Sequence, residues 1–225
     1  GWSDLLWPHR WALYSFDVYI NGSRVYDYTF ELTESSYFTA GVLCHEFFHV
    51  LGAPDLYHYN SNGSPDAVGG WDLMESSSNP PQYMGAFMKW KYGDWLPEIP
   101  EITSTGNYTL NPLQEQENVA YKIASPNSET EYYVVEYRVK EGRYESNSPG
   151  SRDGLLVYRI NTEAGNGNAQ GPPDEVYLYR PGGTLTSQGS FVSAPYNADW
   201  SHTEINDFTS PDPFLYNNGF EVCEF

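Results

Sequence analysis

The sequence predicts an α+β protein: a hairpin, two helices, and then a half built of short strands. Three observations predict it. Asn21-Gly22 sits between two runs rich in aromatic and β-branched residues, 10–20 and 23–32, which is a strong short-range hairpin signal. The run YFTAGVLCHEFFHVL has N-cap residues before it at 33–36, Gly52 directly after it and Pro54 just beyond. Those are the start and stop marks of one helix. From about residue 100, the runs YTLNPL, VAYKIA, EYYVVEYRV, GLLVYRIN and EVYLYR are separated by Pro, Gly, Asn and Ser, which reads as strands and turns.

Taken in order, the hairpin should close with a type I′ turn, because Asn-Gly tolerates two consecutive left-handed residues. The first helix should span 36–51. A loop dense in Asn, Gly, Ser and Pro follows at 60–70. Pro80-Pro81 opens a second helix over 82–96, whose Tyr83, Met84, Phe87, Met88 and Trp90 fit a helical stripe, and Gly93 and Pro97 close it. Residues 181–219 carry no placeable element. The division is 1–99, holding hairpin and helices, and 100–225, the β-rich remainder of the same unit.

Composition excludes several classes. The 225 residues hold 11 Lys+Arg against 30 Asp+Glu, a net charge of −19. The acid is spread evenly, with 4 basic and 12 acidic groups in 1–99 and 7 and 18 in 100–225. No basic patch exists to follow a phosphate backbone, so nucleic acid is not an expected partner. Aromatics make up 17% of the chain, too many for a disordered acidic tail. No apolar run reaches the ~20 residues of a membrane-spanning helix. Two cysteines, Cys44 and Cys223, are too few for a disulfide framework. Whether they pair stays open, and Cys44 reads as a small buried hydrophobe. The composition suits a secreted or periplasmic/cell-surface protein, its signal peptide expected outside this chain, with a monomer favoured.

The chemistry lies in His45-Glu46-Phe47-Phe48-His49. On a helix, positions i and i+4 share a face, so both imidazoles can reach one metal ion, while Glu46 is placed to act as a general base. Gly52 lies three residues after His49 and Asp55 six after it. The pattern H-E-x-x-H-x-x-G-x-x-D varies the metzincin motif. Gly52 lets the chain turn back with φ > 0, and Asp55 then offers an oxygen ligand. Glu75 is the alternative third ligand. Trp71-Asp72-Leu73-Met74 puts Met74 where a Met-turn is expected. Tyr83, Tyr57 and His58 are candidates for an oxyanion or substrate donor. Glu136 and Arg138 read as an exposed or paired strand face. Asp66, Asp72, Asp199, Asp207 and Asp212 lie in acidic loops and are candidates for structural calcium.

WPHRW at 7–11, HEFFHVLGAPDLY at 45–57, VGGWDLM at 68–74, KWKYGDWL at 89–96, EYYVVEYR at 131–138 and GLLVYRIN at 154–161 resemble the immune inhibitor A-type bacterial metallopeptidases. The resemblance implies a secreted, zinc-dependent endopeptidase of zincin-like fold. In it, His45, His49 and Asp55 hold zinc, Glu46 is the general base, and a protein or peptide is the substrate. Only 44 residues precede His45, where zincins carry a substantial sheet. The alternative reading is therefore an inactive or truncated relative, which keeps the zinc site as a structural clip and binds protein or glycan.

Overall fold

The structure is a computed structural model and describes residues 6–33, 38–60, 63–115 and 117–216. It is α+β. The hairpin forms as two nested ladders. Strand β1 (His9–Ala12) pairs antiparallel with β4 (Asp27–Phe30), and β2 (Val18–Ile20) with β3 (Ser23–Val25). Asn21 and Gly22 both have positive φ, 51° and 80°, as a type I′ turn requires.

Helix α1 spans Ala40–Val50, starting later than the sequence suggests. Thr39 is its N-cap, with the side chain accepting from the Val42 N–H at 3.2 Å. Of the N-cap residues expected from sequence, Glu34, Ser35 and Ser36 lie outside the described residues. Helix α1 packs on β1 and β4. It approaches the 76–78 segment closely at Gly41, where a Cβ would stand 2.0 Å from the Ser78 carbonyl oxygen. The helix ends in a Schellman turn: Gly52 N–H donates to His49 and Ala53 N–H to Phe48, with Gly52 at φ 100°. Leu43, Phe47 and Leu51 form an exposed stripe on it. Cys44 is also exposed, so it is not the buried hydrophobe expected from sequence. The helix turns that edge outward while Phe48 goes into the core. Cys223, and with it any pairing, lies outside the described residues.

Helix α2 is shorter than its apolar stripe suggests, Ala86–Lys91. Its first N–H groups are met by distant carboxylates. Asp72 Oδ2 accepts from Gly85 at 2.7 Å and Glu136 Oε2 from Ala86 at 2.6 Å. Those long-range caps fix the start, and pattern alone cannot reveal them.

The second half is a five-stranded sheet in the order β5-β6-β7-β8-β9. Its strands are β5 (Glu101–Ile102), β6 (Ala120–Ala124), β7 (Glu131–Arg138), β8 (Gly154–Asn161) and β9 (Val176–Leu178). Only β5 and β6 pair in parallel. YTLNPL is not a strand, since Pro112 makes one isolated bridge to Tyr137 and proline has no N–H for a ladder. Within 181–216 there are two 3₁₀ turns, Phe191–Ser193 and Ala198–Trp200. One apolar core runs from Phe48 of α1 through Trp71, Met74 and Phe87 to Tyr133, Leu156, Tyr179 and Leu215.

Glu136 and Arg138 lie in that interior, both fully buried, rather than on an exposed face. Arg138 is bidentate to Glu145 at 2.9 Å and pairs with Glu136 at 3.0 Å. Glu145 also accepts from the Tyr83 N–H, and Glu136 from the Tyr158 hydroxyl. Two carboxylates thus flank one buried guanidinium and hold α2 against β7. The remaining oxygens are hydrogen-bonded, as a buried charge demands.

Candidate metal centre

Helix α1 brings His45 and His49 to one face, and the Schellman turn returns the chain so that Asp55 joins them. The ligand atoms of the three lie within 4.8 Å of one another. They are the only such group of three His, Cys, Asp or Glu donors among the described residues. Each imidazole donates Nδ1–H to a backbone carbonyl, His45 to Leu73 at 3.0 Å and His49 to Ala53 at 2.7 Å. Both Nε2 atoms then face Asp55 Oδ1, at 3.1 and 3.3 Å. Asp55 Oδ1 is buried and has no partner of hydrogen-bond geometry.

Three donor atoms therefore converge. Zinc ligands at ~2.1 Å in a tetrahedron would stand ~3.4 Å apart, close to these separations. Two imidazole nitrogens and one carboxylate oxygen form a donor set that suits zinc. The carbonyls behind each ring fix which nitrogen faces inward, the usual outer support of a metal-binding histidine. These residues fit a divalent ion.

The support extends further. Asp55 Oδ2 accepts from the Tyr59 hydroxyl at 2.5 Å. Burial pushes the Asp55 carboxyl up, but the facing imidazoles of His45 and His49 and the Tyr59 hydroxyl outweigh that and hold it well below the usual range. The turn after Trp71 props both arms of the site. The Leu73 carbonyl orients His45, and the Met74 carbonyl accepts from the Leu56 N–H, next to Asp55, at 2.9 Å. Asp72 holds that turn, taking the Met74 N–H on Oδ1 and the Gly85 N–H on Oδ2. Met74 itself is fully buried.

Glu46 is 7% exposed, one residue round the helix from His45. Burial pushes its carboxyl up, an effect that His45 and His49 partly offset. Glu75, the alternative third ligand, stands apart from the cluster and accepts from the Val68 N–H at 2.6 Å. Of the three donor candidates, Tyr57 lies with its ring 6.4 Å from that of His45. His58 turns to Asp174, Nε2 to Oδ1 at 2.6 Å. Tyr83 lies beside Tyr144 and Lys89. Asp72 is occupied by its two N–H donors, and Asp66 accepts from Gln188 at 2.8 Å. Asp66, Asp72, Asp199, Asp207 and Asp212 do not gather into a cation cluster among the described residues. Sequence reasoning missed Tyr59. The one available signal for Tyr59 was a hydroxyl four residues beyond Asp55.

Comparison with known proteins gives the class first. The profile described as "Immune inhibitor A peptidase M6, catalytic domain" matches residues 2–89, which include the whole triad. Over this stretch the chain resembles the immune inhibitor A metallopeptidases. Among particular relatives, a pre-pro-metalloprotease, PrtV of Vibrio cholerae, is 31% identical over 88 residues, covering 34% of this chain and 9% of the relative. Immune inhibitor A of Bacillus thuringiensis subsp. alesti is 28% identical over 86 residues, covering 33% of this chain and 12% of the relative. The match thus spans about a tenth of the length of these curated relatives. No solved structure matches the chain.

Proposed function

We propose that this chain carries the centre of a zinc-dependent endopeptidase with a zincin-like arrangement, acting on proteins outside the cell. The observation that supports it best is the convergence of His45, His49 and Asp55 with Glu46 buried beside them. In this reading Met74 is the Met-turn residue, and residues 1–99 and 100–225 are one catalytic unit, as their shared core favours. A zinc ion, when bound, supplies Lewis-acid polarisation of a carbonyl and lowers the pKa of water toward ~7.

Glu46 does the proton work. It takes a proton from the attacking water and passes it to the leaving amine nitrogen. Burial raises its carboxyl, which favours the proton-holding form that the second half of that task needs. Tyr57 is the candidate to steady the developing oxyanion. The substrate is an extended peptide segment. Among the described residues no helix is long and apolar enough to cross a membrane. The word "pre-pro" in the relative's name favours export of this chain as well.

The test is zinc stoichiometry together with casein cleavage, for the wild-type chain and Glu46→Ala. One zinc per chain is expected in both, with cleavage only in the wild type. A native chain that binds no zinc would sink the proposal. Zinc retained without cleavage would leave the site as a structural clip.

A further inference from the structure

Strand β4 ends at Phe30, and the next residue, Glu31, carries a carboxylate that the proposed proton chemistry does not use. Both of its oxygens are buried, and neither has a hydrogen-bond partner. Its electrostatic neighbours are Glu46, His45 and His9. Among the described residues it forms no ion pair, and Arg10 of the neighbouring strand β1 is paired with Asp27. Glu46 repels the Glu31 carboxylate, and its positive neighbours, the imidazoles of His45 and His9, make no hydrogen bond to it. Leaving an acceptor buried and unmade is costly, and more so when it is charged. Unfavourable local arrangements of this sort persist where function over-determines them.

The missing partner is a cation, and the surroundings say which kind. A metal ion needs more donors than this, and Glu31 belongs to no group of three potential ligands. An ammonium or guanidinium group needs only acceptor oxygens, and a carboxylate is its strongest match. Glu31 as a residue is partly exposed, so its carboxylate lies just under the surface, at the end of a strand that packs on α1. We propose that Glu31 is a specificity residue of the site, binding a positively charged group of the peptide next to the scissile bond. That group is either a Lys or Arg side chain or a free α-amino terminus. This rests on the reading of the site as a peptidase centre.

The test measures binding rather than turnover. The zinc-loaded Glu46→Ala chain is titrated with four fluorescent versions of one decapeptide, with its single lysine free or acetylated and its N-terminus free or acetylated. A charged version should bind at least about tenfold more tightly than the doubly acetylated one, as a charge-assisted hydrogen bond implies. Which version does so identifies the side chain or the terminus. Adding Glu31→Gln should reduce the preference to under about twofold, with one zinc per chain retained. Butylammonium should compete with the charged peptide where butanol does not, which needs no change at residue 31. Equal binding of all four peptides would overturn the proposal. So would a preference that survives Glu31→Gln, or a second zinc equivalent that Glu31→Gln abolishes. A wild-type chain that cleaves nothing while the preference stands would remove the hydrolytic reading and leave Glu31 as a cation-binding residue beside the metal site.

Discussion

The carbonyl of Leu73 accepts Nδ1–H of His45 across 28 residues of chain, at 3.0 Å. The next carbonyl along, Met74, holds the segment that carries Asp55. One turn therefore sets two of the three candidate ligands, and Asp72 fastens that turn. Asp72→Asn keeps the size but loses one acceptor for the Met74 or Gly85 N–H. We expect zinc affinity to fall about 10–100-fold with the far-UV circular dichroism unchanged, measured by chelator competition. Unaltered affinity would separate this turn from the metal site.

Tyr59 touches the cluster only through Asp55. Tyr59→Phe removes its hydrogen bond to Oδ2 and little else, because the ring is largely exposed. Zinc affinity should drop at least about tenfold, while the urea midpoint of the metal-free chain moves little.

Gly52 makes the return turn at φ 100°, a conformation L-residues rarely adopt. A Cβ there meets open space, so Gly52→Ala introduces strain and no clash. The expected loss is about 1–3 kcal/mol, read from urea unfolding. A loss below the scatter of replicate unfolding curves would contradict the left-handed assignment.

Glu75 gives a pH signature. One oxygen accepts from Val68, the other is buried without a partner, and burial pushes the carboxyl up to about 8 from an ordinary 4.5. Between those two values the folded chain holds a proton that the unfolded chain has released. Stability from this group is complete below the lower value and is lost as pH rises toward the upper one, by up to ~1.4 kcal/mol per unit. Glu75→Gln should flatten that slope. If urea midpoints at pH 5 and pH 8 differ equally in both chains, the slope has another source.

Arg138 tests the tie between α2 and the sheet. Arg138→Ala leaves Glu136 and Glu145 buried without their cation. A loss of about 3–5 kcal/mol is expected. Arg138→Met with Glu136→Gln and Glu145→Gln should recover part of it, because no net charge then stays buried. Equal stability of the single and triple variants would argue against charge as the cause.

Much of the metal centre could be read in the chain because its parts are local. His45, Glu46, His49, Gly52 and Asp55 fall within eleven residues, and helix periodicity alone brings the two imidazoles together. What could not be read depends on distant partners. The start of α2 is set by Asp72 and Glu136, the orientation of His58 by Asp174, and the isolation of Glu31 by the packing of β4 beside α1. Cys44 was misplaced for a related reason. The residues before it are apolar, but the stripe it joins faces out. The hairpin turn at Asn21-Gly22 was legible because its geometry is a property of those two residues.

Gly41 gives the site a mechanical reference. Successive residues of an α-helix stand ~100° apart around the axis. Only glycine fits against the Ser78 carbonyl, so turning α1 by one residue would drive the Cβ of Ala40 or Val42 into that oxygen. The angular setting of both imidazoles is thereby indexed one turn before His45 and two before His49, by a position where a side chain is missing.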